Sequence, residues 1–342
     1  MRVLPCHPRN PGPKNSDDKR TPSPVRAHTV LEVLAASPLT TIQDGGRRGW
    51  QAFGVPVSGP MDWFAHRAAN LLAANPLDAA ALEIGFTSAE FLALNDCLIA
   101  ATGPGFALFV NDRPMRMGAS IFVRKNGRIR LEKQGPGNWA YLAAHGGIQT
   151  PLTLGSRSSY LPARLGPPPL APGDVLPIGA ARAPLPELAA RALAFTPAYS
   201  PASTLRVLPG PQSNFFSLAD FYASEYALSP LSDRTGYRLT GPPMERLLPG
   251  ELLSEGMTRG CIQIPPDGQP IVMQADCPPT GGYPKIASVI TADQPLLAQT
   301  PIGAGKIHFL ETTIEEAQAA LREMTTRLET GIIPPNREEF SW

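Results

Sequence analysis

Three polar clusters set among glycines hold the residues best suited to chemistry in this chain of 342 residues. Gln43-Asp44-Gly45-Gly46-Arg47-Arg48-Gly49 puts an amide, a carboxylate and two guanidiniums on one short loop, a set that can grip a carboxylate or amide ligand through paired hydrogen bonds. The same set describes a structural loop whose aspartate and arginines satisfy one another, and the residues alone leave both readings open. Ser232-Asp233-Arg234-Thr235-Gly236-Tyr237-Arg238 repeats that chemistry in the second half. Thr280-Gly281-Gly282-Tyr283-Pro284-Lys285 adds a stretch where backbone amides can approach a ligand closely, with a phenol and an ammonium at its edge. His145, ahead of Gly146-Gly147, can donate a hydrogen bond or act as a base, or can serve the fold alone.

Other chemistries are excluded by spacing. The five histidines (His7, His28, His66, His145, His308) contain no H-x-x-x-H or H-E-x-x-H pair, so no dedicated metal site is written here. The four cysteines (Cys6, Cys97, Cys261, Cys277) form no C-x-x-C and read as free thiols of a reducing cytoplasm. Gly303-Ala304-Gly305-Lys306 falls short of a phosphate loop: Thr300 stands where the first glycine belongs and Ile307 where a Ser or Thr is needed. Ser156 lacks the second glycine of a hydrolase elbow. With 30 Lys+Arg against 29 Asp+Glu, nothing drives the whole chain toward nucleic acid or an anionic membrane. No run reaches the ~20 apolar residues of a membrane span. The expectation is a soluble cytoplasmic protein.

The elements that must position these clusters are short. Forty prolines and 31 glycines punctuate the chain too often for long helices. Strand-length apolar runs fall at Val30–Leu34, Leu82–Ile84, Cys97–Ala101, Phe106–Val110, Ser120–Arg124, Arg128–Leu131 and Trp139–Ala143. Asn111-Asp112 and Asn126-Gly127 tolerate the positive φ of type I′ hairpins. After the first of these strands Ser37-Pro38 and Asp44-Gly45-Gly46 break the chain into loop, and the spacing predicts a helix from Met61 to Ala74 capped by Asp62. Further strands are expected at Leu205–Leu208, Tyr237–Leu239, Cys261–Ile264, Ile271–Gln274, Ile286–Ile290 and Lys306–Leu310, with a helical patch at Phe215–Tyr222 and a final amphipathic helix from Ile314 to Leu328. This divides the chain into a disordered basic Pro-rich tail (1–28), a β domain (29–203) that includes a Pro-rich connection (166–203), a second β domain with a terminal helix (204–330), and a tail (331–342).

Longer runs carry a family resemblance. Leu39-Thr40-Thr41-Ile42-Gln43-Asp44-Gly45-Gly46-Arg47-Arg48-Gly49, then Gly54-Val55-Pro56-Val57-Ser58-Gly59-Pro60-Met61-Asp62 and Ala81-Leu82-Glu83, resemble the opening of the biotin-dependent carboxyltransferase family, which includes KipA, allophanate hydrolase subunit 2-like proteins and the C-type subunit of bacterial 5-oxoprolinase. Ala144-His145-Gly146-Gly147-Ile148, Ser232-Asp233-Arg234-Thr235-Gly236-Tyr237-Arg238 and Thr280-Gly281-Gly282-Tyr283-Pro284-Lys285 extend it almost to Leu310. One stretch departs: where the family reads D-x-Q-T-T-G-G-Y-P, this chain has Asp276-Cys277-Pro278-Pro279-Thr280-Gly281-Gly282, a change that bears on substrate choice.

The resemblance implies a mainly β fold with a few helices, in two cyclophilin-like β-barrel domains flanking a cleft. It implies that the chain works as the C-type subunit of an ATP-dependent 5-oxoprolinase, opening 5-oxo-L-proline to L-glutamate with a KipI-like B-type subunit and a LamB/YcsF-like A-type subunit, and inactive alone. ATP then binds on, or jointly with, a partner, and homodimerisation is compatible. On this reading Asp233, Arg234, Tyr283 and Lys285 are catalytic, and Gln43, Asp44, Arg47, Arg48, Ser58, His145, Thr280, Gly281 and Gly282 bind substrate in one cleft. Two other functions fit the family: transfer of CO₂ from carboxybiotin to an amide nitrogen, as in urea carboxylase, for which this chain lacks a Met-Lys-Met biotin attachment site, and a non-catalytic antagonist of a KipI-like kinase inhibitor.

Overall fold

Apolar runs of four to eight residues cut by Gly, Pro and Asn form strands, and runs buried on both faces lose the alternation that marks half-exposed ones. The computed structural model describes residues 28–334 apart from 182, 249 and 251; Cys6, the segment 1–27 and residues 335–342 lie outside the described residues. In the first half a six-stranded sheet runs in the order Val175–Ile178, His28–Ala35, Ala89–Ala93, Arg128–Lys133, Phe106–Val110, Arg113–Met115. A seven-stranded sheet runs Thr40–Gln43, Ala81–Gly85, Trp139–Ala144, Cys97–Thr102, Ala119–Val123, Ala192–Leu193, Ile332–Ile333. Leu31, Val33, Phe91, Ile99, Leu108, Ile129 and Leu142 form the core that these sheets share.

The second half closes into a seven-stranded barrel: Ala202–Pro209, Lys285–Val289, Cys261–Gln263, Ile271–Met273, Gly236–Thr240, Tyr226–Leu228, Lys306–Glu311. Its first and last members pair in parallel, and the others antiparallel. Mainly β with a few helices is therefore the observed class. The first half differs from the second in being two sheets rather than one hydrogen-bonded ring.

Local chemistry explains the turns and caps. Asn111, Asp112 and Asn126 all have positive φ, as the hairpin reading requires. Helix α1 (Trp63–Leu72) starts where the Asp62 carboxylate accepts the Ala65 N–H, and α2 (Leu218–Ala223) where the Ser217 hydroxyl accepts that of Asp220. Helix α3 (Gln294–Gln299) is too short for periodicity to reveal. Helix α4 (Ile314–Thr330) opens on a capping box of Thr313 and Glu316. Thr40–Gln43, expected as loop, is a strand buried at every position.

The two halves share a core. Phe64, Trp139 and Tyr141 from the first half cluster with Tyr226, Tyr237 and Phe309 from the second, and large side chains stabilise by about 1.5–3 kcal/mol each when buried. The Trp139 indole donates to the Tyr237 hydroxyl at 3.2 Å, and the Asn138 amide to the Ala298 carbonyl at 2.8 Å. The Pro-rich stretch 166–203 supplies strands Val175–Ile178 and Ala192–Leu193 to the two sheets of the first half. Ile332–Ile333, within the expected tail, pairs with Ala192–Leu193. The segment that follows helix α4 thus returns to the first half and ties the barrel side of the chain to its sheets.

Candidate functional site

The glycine-rich loop after Thr40–Gln43 is built around Asp44. Its carboxylate accepts from the Ser156 hydroxyl at 2.5 Å, the Arg157 N–H at 2.6 Å, the Ser158 hydroxyl at 2.7 Å and the Gly46 N–H at 2.9 Å. Burial alone would raise the Asp44 pKa, but these donors outweigh it and hold the carboxyl below its ordinary value. Arg47, 1% exposed, donates through Nη2 to the Ser158 carbonyl, while its Nε and Nη1 are buried without a hydrogen-bond partner. Burial lowers its pKa, and Asp44 and Asp276 work against that shift. Gln43 donates to Thr41 and to the Ser159 carbonyl. These three residues shape the loop from behind.

The second arginine cluster is a buried ion network. Arg234 donates to both carboxylate oxygens of Asp276 at 2.8 and 3.2 Å, to Glu83 through Nη1, and to the Gly59 carbonyl at 2.7 Å. Burial opposes its charge, yet Asp276 and Glu83 overcome that and hold its pKa above the ordinary arginine value. Glu83, 0% exposed, also accepts from the Tyr141 hydroxyl and the Met61 N–H, each at 2.7 Å. Every nitrogen of the Arg234 guanidinium is thus spent on the protein. Arg259 donates to the Pro60 carbonyl at 2.8 Å and to the Met61 carbonyl, and its buried Nε has no partner.

These interactions frame a cleft of about 460 Å³ between the halves, lined by residues that include Arg48, Ser58, Arg67, Asp78, Arg259 and Cys277. Ser58 sits at φ +59° with its hydroxyl buried and unpartnered. Three guanidiniums face one carboxylate, and that carboxylate, Asp78, is ion-paired to Arg67 at 3.0 Å. The cleft therefore favours an anionic or carbonyl-bearing ligand and supplies hydrogen-bond donors without a histidine base. Burial pushes the Cys277 thiol up to about 11, so at neutral pH it is a protonated wall and a poor nucleophile. The Cys277-Pro278-Pro279 departure lies here, since Cys277 and Pro279 both line the cleft.

The structure disperses the other expected site residues. Asp233 is exposed and its carboxylate caps a turn by accepting from the N–H groups of Thr235 and Gly236. Thr280–Gly281 pairs with Glu255–Gly256 as a two-stranded ribbon. Gly282 and Tyr283 line a separate cavity of about 650 Å³ beside Phe216, Met244 and Ile264. Lys285 is ion-paired with Glu255 at 2.7 Å. His145 donates through Nδ1 to the Ala73 carbonyl at 2.7 Å and borders yet another cavity with Asn95 and Leu98. Only Arg48 and Ser58 of the expected set line the cleft itself.

Arg259 and the partners Glu83 and Asp276 escaped sequence reasoning as site residues. Glu83 carried a signal, a carboxylate inside the strand-forming run Ala81-Leu82-Glu83-Ile84, where a buried acid demands a cation. Arg259 stands beside Gly260 with nothing local to mark it. Among the described residues no group of three or more His, Cys, Asp or Glu could hold a metal ion, and no helix is long and apolar enough to cross a membrane.

Comparison with known proteins agrees with this architecture. Residues 53–311 match the family model described as carboxyltransferase domain, subdomain A and B. The chain is 38% identical over 303 residues to the C-type subunit of 5-oxoprolinase from Escherichia coli, covering 86% of this chain and 95% of that protein. It superposes on the crystal structure of TTHA0988 with a TM-score of 0.75 and 34% identity, covering 82% of this chain and 55% of that one. It also superposes on the K. lactis urea amidolyase with a TM-score of 0.81 and 26% identity, over 90% of this chain and 21% of that one. The chain thus spans about half of the first structure and a fifth of the second.

Proposed function

This chain belongs to the carboxyltransferase domain family, subdomains A and B, and on that premise we propose that it is the C-type subunit of an ATP-dependent 5-oxoprolinase. In this reading it acts with a KipI-like B-type subunit and a LamB/YcsF-like A-type subunit to open 5-oxo-L-proline to L-glutamate. The observation that carries the reading is the cationic cleft between the halves. The proposed substrate brings one carboxylate and one lactam carbonyl, and the cleft offers matching groups. Arg48, at the cleft wall, is suited to the carboxylate. The Ser58 hydroxyl, without a protein hydrogen-bond partner, is suited to the polarised carbonyl oxygen.

Ring opening also needs an activated carbonyl and a water, and this cleft holds donors rather than a base. Binding and polarisation are assigned to this chain, and activation to ATP and the partners. The Gly303–Lys306 segment is no phosphate cradle: it is a turn leading into Lys306–Glu311, and Lys306 is ion-paired with Glu225 at 2.6 Å. ATP is accordingly proposed to bind on, or jointly with, a partner.

The test is 5-oxoproline-dependent ATP turnover in a mixture of the three proteins. Turnover that requires this chain supports the proposal, and unchanged turnover when it is omitted defeats it. The likeness to urea amidolyase favours a second reading, CO₂ transfer from carboxybiotin to an amide nitrogen. That reading predicts urea carboxylation when a biotinylated carrier and its carboxylase are supplied. A partner bound tightly with no turnover under either condition would instead identify a KipA-like antagonist.

A further inference from the structure

We infer that Arg259, together with Arg234, is a positioning residue that sets the Ser58 hydroxyl from across the interface between the two halves. Three successive carbonyls, of Gly59, Pro60 and Met61, face the barrel. Arg234 takes the first at 2.7 Å, and the two terminal nitrogens of Arg259 take the second, at 2.8 Å, and the third. The amide side of the same segment is fixed by the first half: Met61 N–H donates to Glu83 at 2.7 Å and Asp62 N–H to the Tyr141 hydroxyl at 2.8 Å. A short loop held from both sides has one place to put the residue before it. That residue, Ser58, takes a left-handed backbone conformation that non-glycine residues rarely adopt, and neighbours must hold it there.

The loop has little room to relax. A Cβ on Gly59, whose φ is +92°, would lie 3.2 Å from the Asp44 carbonyl, and one on Gly46 would lie 2.7 Å from the Val57 carbonyl. The Ser58 hydroxyl makes no protein hydrogen bond in return, which leaves it for a ligand in the cleft. Arg259 is rooted in the barrel, two residues before Cys261–Gln263. The barrel therefore dictates where a donor of the first half stands. A lysine at 259 keeps the charge but cannot hold two carbonyls with a planar fork.

The catalytic part of this inference rests on the proposed function, and two measurements separate the two ideas. The first is a four-variant cycle in the three-protein mixture: wild type, Ser58→Ala, Arg259→Lys and the double variant. Ser58→Ala is expected to lower kcat about 100-fold, in the range for loss of one carbonyl-polarising donor. Arg259→Lys is expected to lower kcat about 10-fold with KM changed less than about threefold, and the double variant to be no slower than Ser58→Ala, because a residue acting only through Ser58 has nothing left to position. Losses that multiply overturn the inference.

The second is amide hydrogen exchange of the chain alone. The Met61 and Asp62 amides should exchange at least about 10-fold faster in Arg259→Lys, while Ser58→Ala leaves them unchanged and the strand Trp139–Ala144 stays protected in both. Unchanged exchange at Met61 and Asp62 in Arg259→Lys overturns the clamp. Absence of 5-oxoproline turnover by the wild-type mixture defeats the proposed function and leaves the exchange result to decide the clamp.

Discussion

Replacing Arg234 by methionine should destabilise the protein by about 3–5 kcal/mol, because it strips a buried ion network of its cation. The side chain fits the cavity in length and apolarity, so the loss comes from what remains. Glu83 is 0% and Asp276 3% exposed, and each loses its guanidinium partner, while the Gly59 carbonyl loses a 2.7 Å donor. For a chain of this size each kcal/mol shifts the melting temperature by about 2 °C, so a fall of about 6–10 °C is expected. The assay is thermal and urea unfolding of the purified chain. A second variant isolates the cause: Arg234→Met combined with Glu83→Gln and Asp276→Asn removes the stranded charges and should recover at least half of the lost stability. An Arg234→Met protein as stable as wild type would refute the reasoning, and so would a triple variant no more stable than the single one. The same result would show why Arg234, read from sequence as a catalytic group, acts through structure.

Two more expectations concern pH and the glycine-rich loop. His66 is 0% exposed, and burial depresses its pKa from 6.5 to about 4. A depressed histidine leaves stability intact above pH 6.5 and removes it as pH falls, because the unfolded chain takes up the proton first; the loss between pH 6.5 and 4 is about 3 kcal/mol. Urea midpoints at pH 7 and pH 5 should differ in the wild type and converge in His66→Gln, and equal midpoints in the wild type would rule this out. Asp44→Asn should cost about 2–4 kcal/mol, since a neutral amide cannot accept from the Ser156 and Ser158 hydroxyls and the Gly46 and Arg157 N–H groups as the carboxylate does. A urea midpoint unchanged from wild type would remove Asp44 from its role as the loop's centre.

What could be read in the residues was local. The Asn111-Asp112 and Asn126-Gly127 hairpins, the Asp62 cap and the face of helix α4 follow from interactions within a few positions, so type and spacing sufficed. Thr40–Gln43 was hidden because burial on all sides erases alternation, and helix α3 because six residues show no period. The family was legible too, since its motifs are contiguous.

The site was legible only as a list of residue types. Arg47, Arg234 and Lys285 looked alike as ligand-holding cations, and nothing nearby in sequence says which cation has already found its anion. Arg234 meets Glu83 across 151 positions and Lys285 of the barrel meets Glu255 of the two-stranded ribbon, whereas Arg259 was passed over until folding set its guanidinium beside Pro60 and Met61. By itself, then, the sequence determined a proline- and glycine-punctuated β protein of the carboxyltransferase family with donors in its loops. The tertiary structure decided which donors are spent on the fold and which face the cleft, because the energy of a buried charge depends on partners that the chain brings together only when it closes.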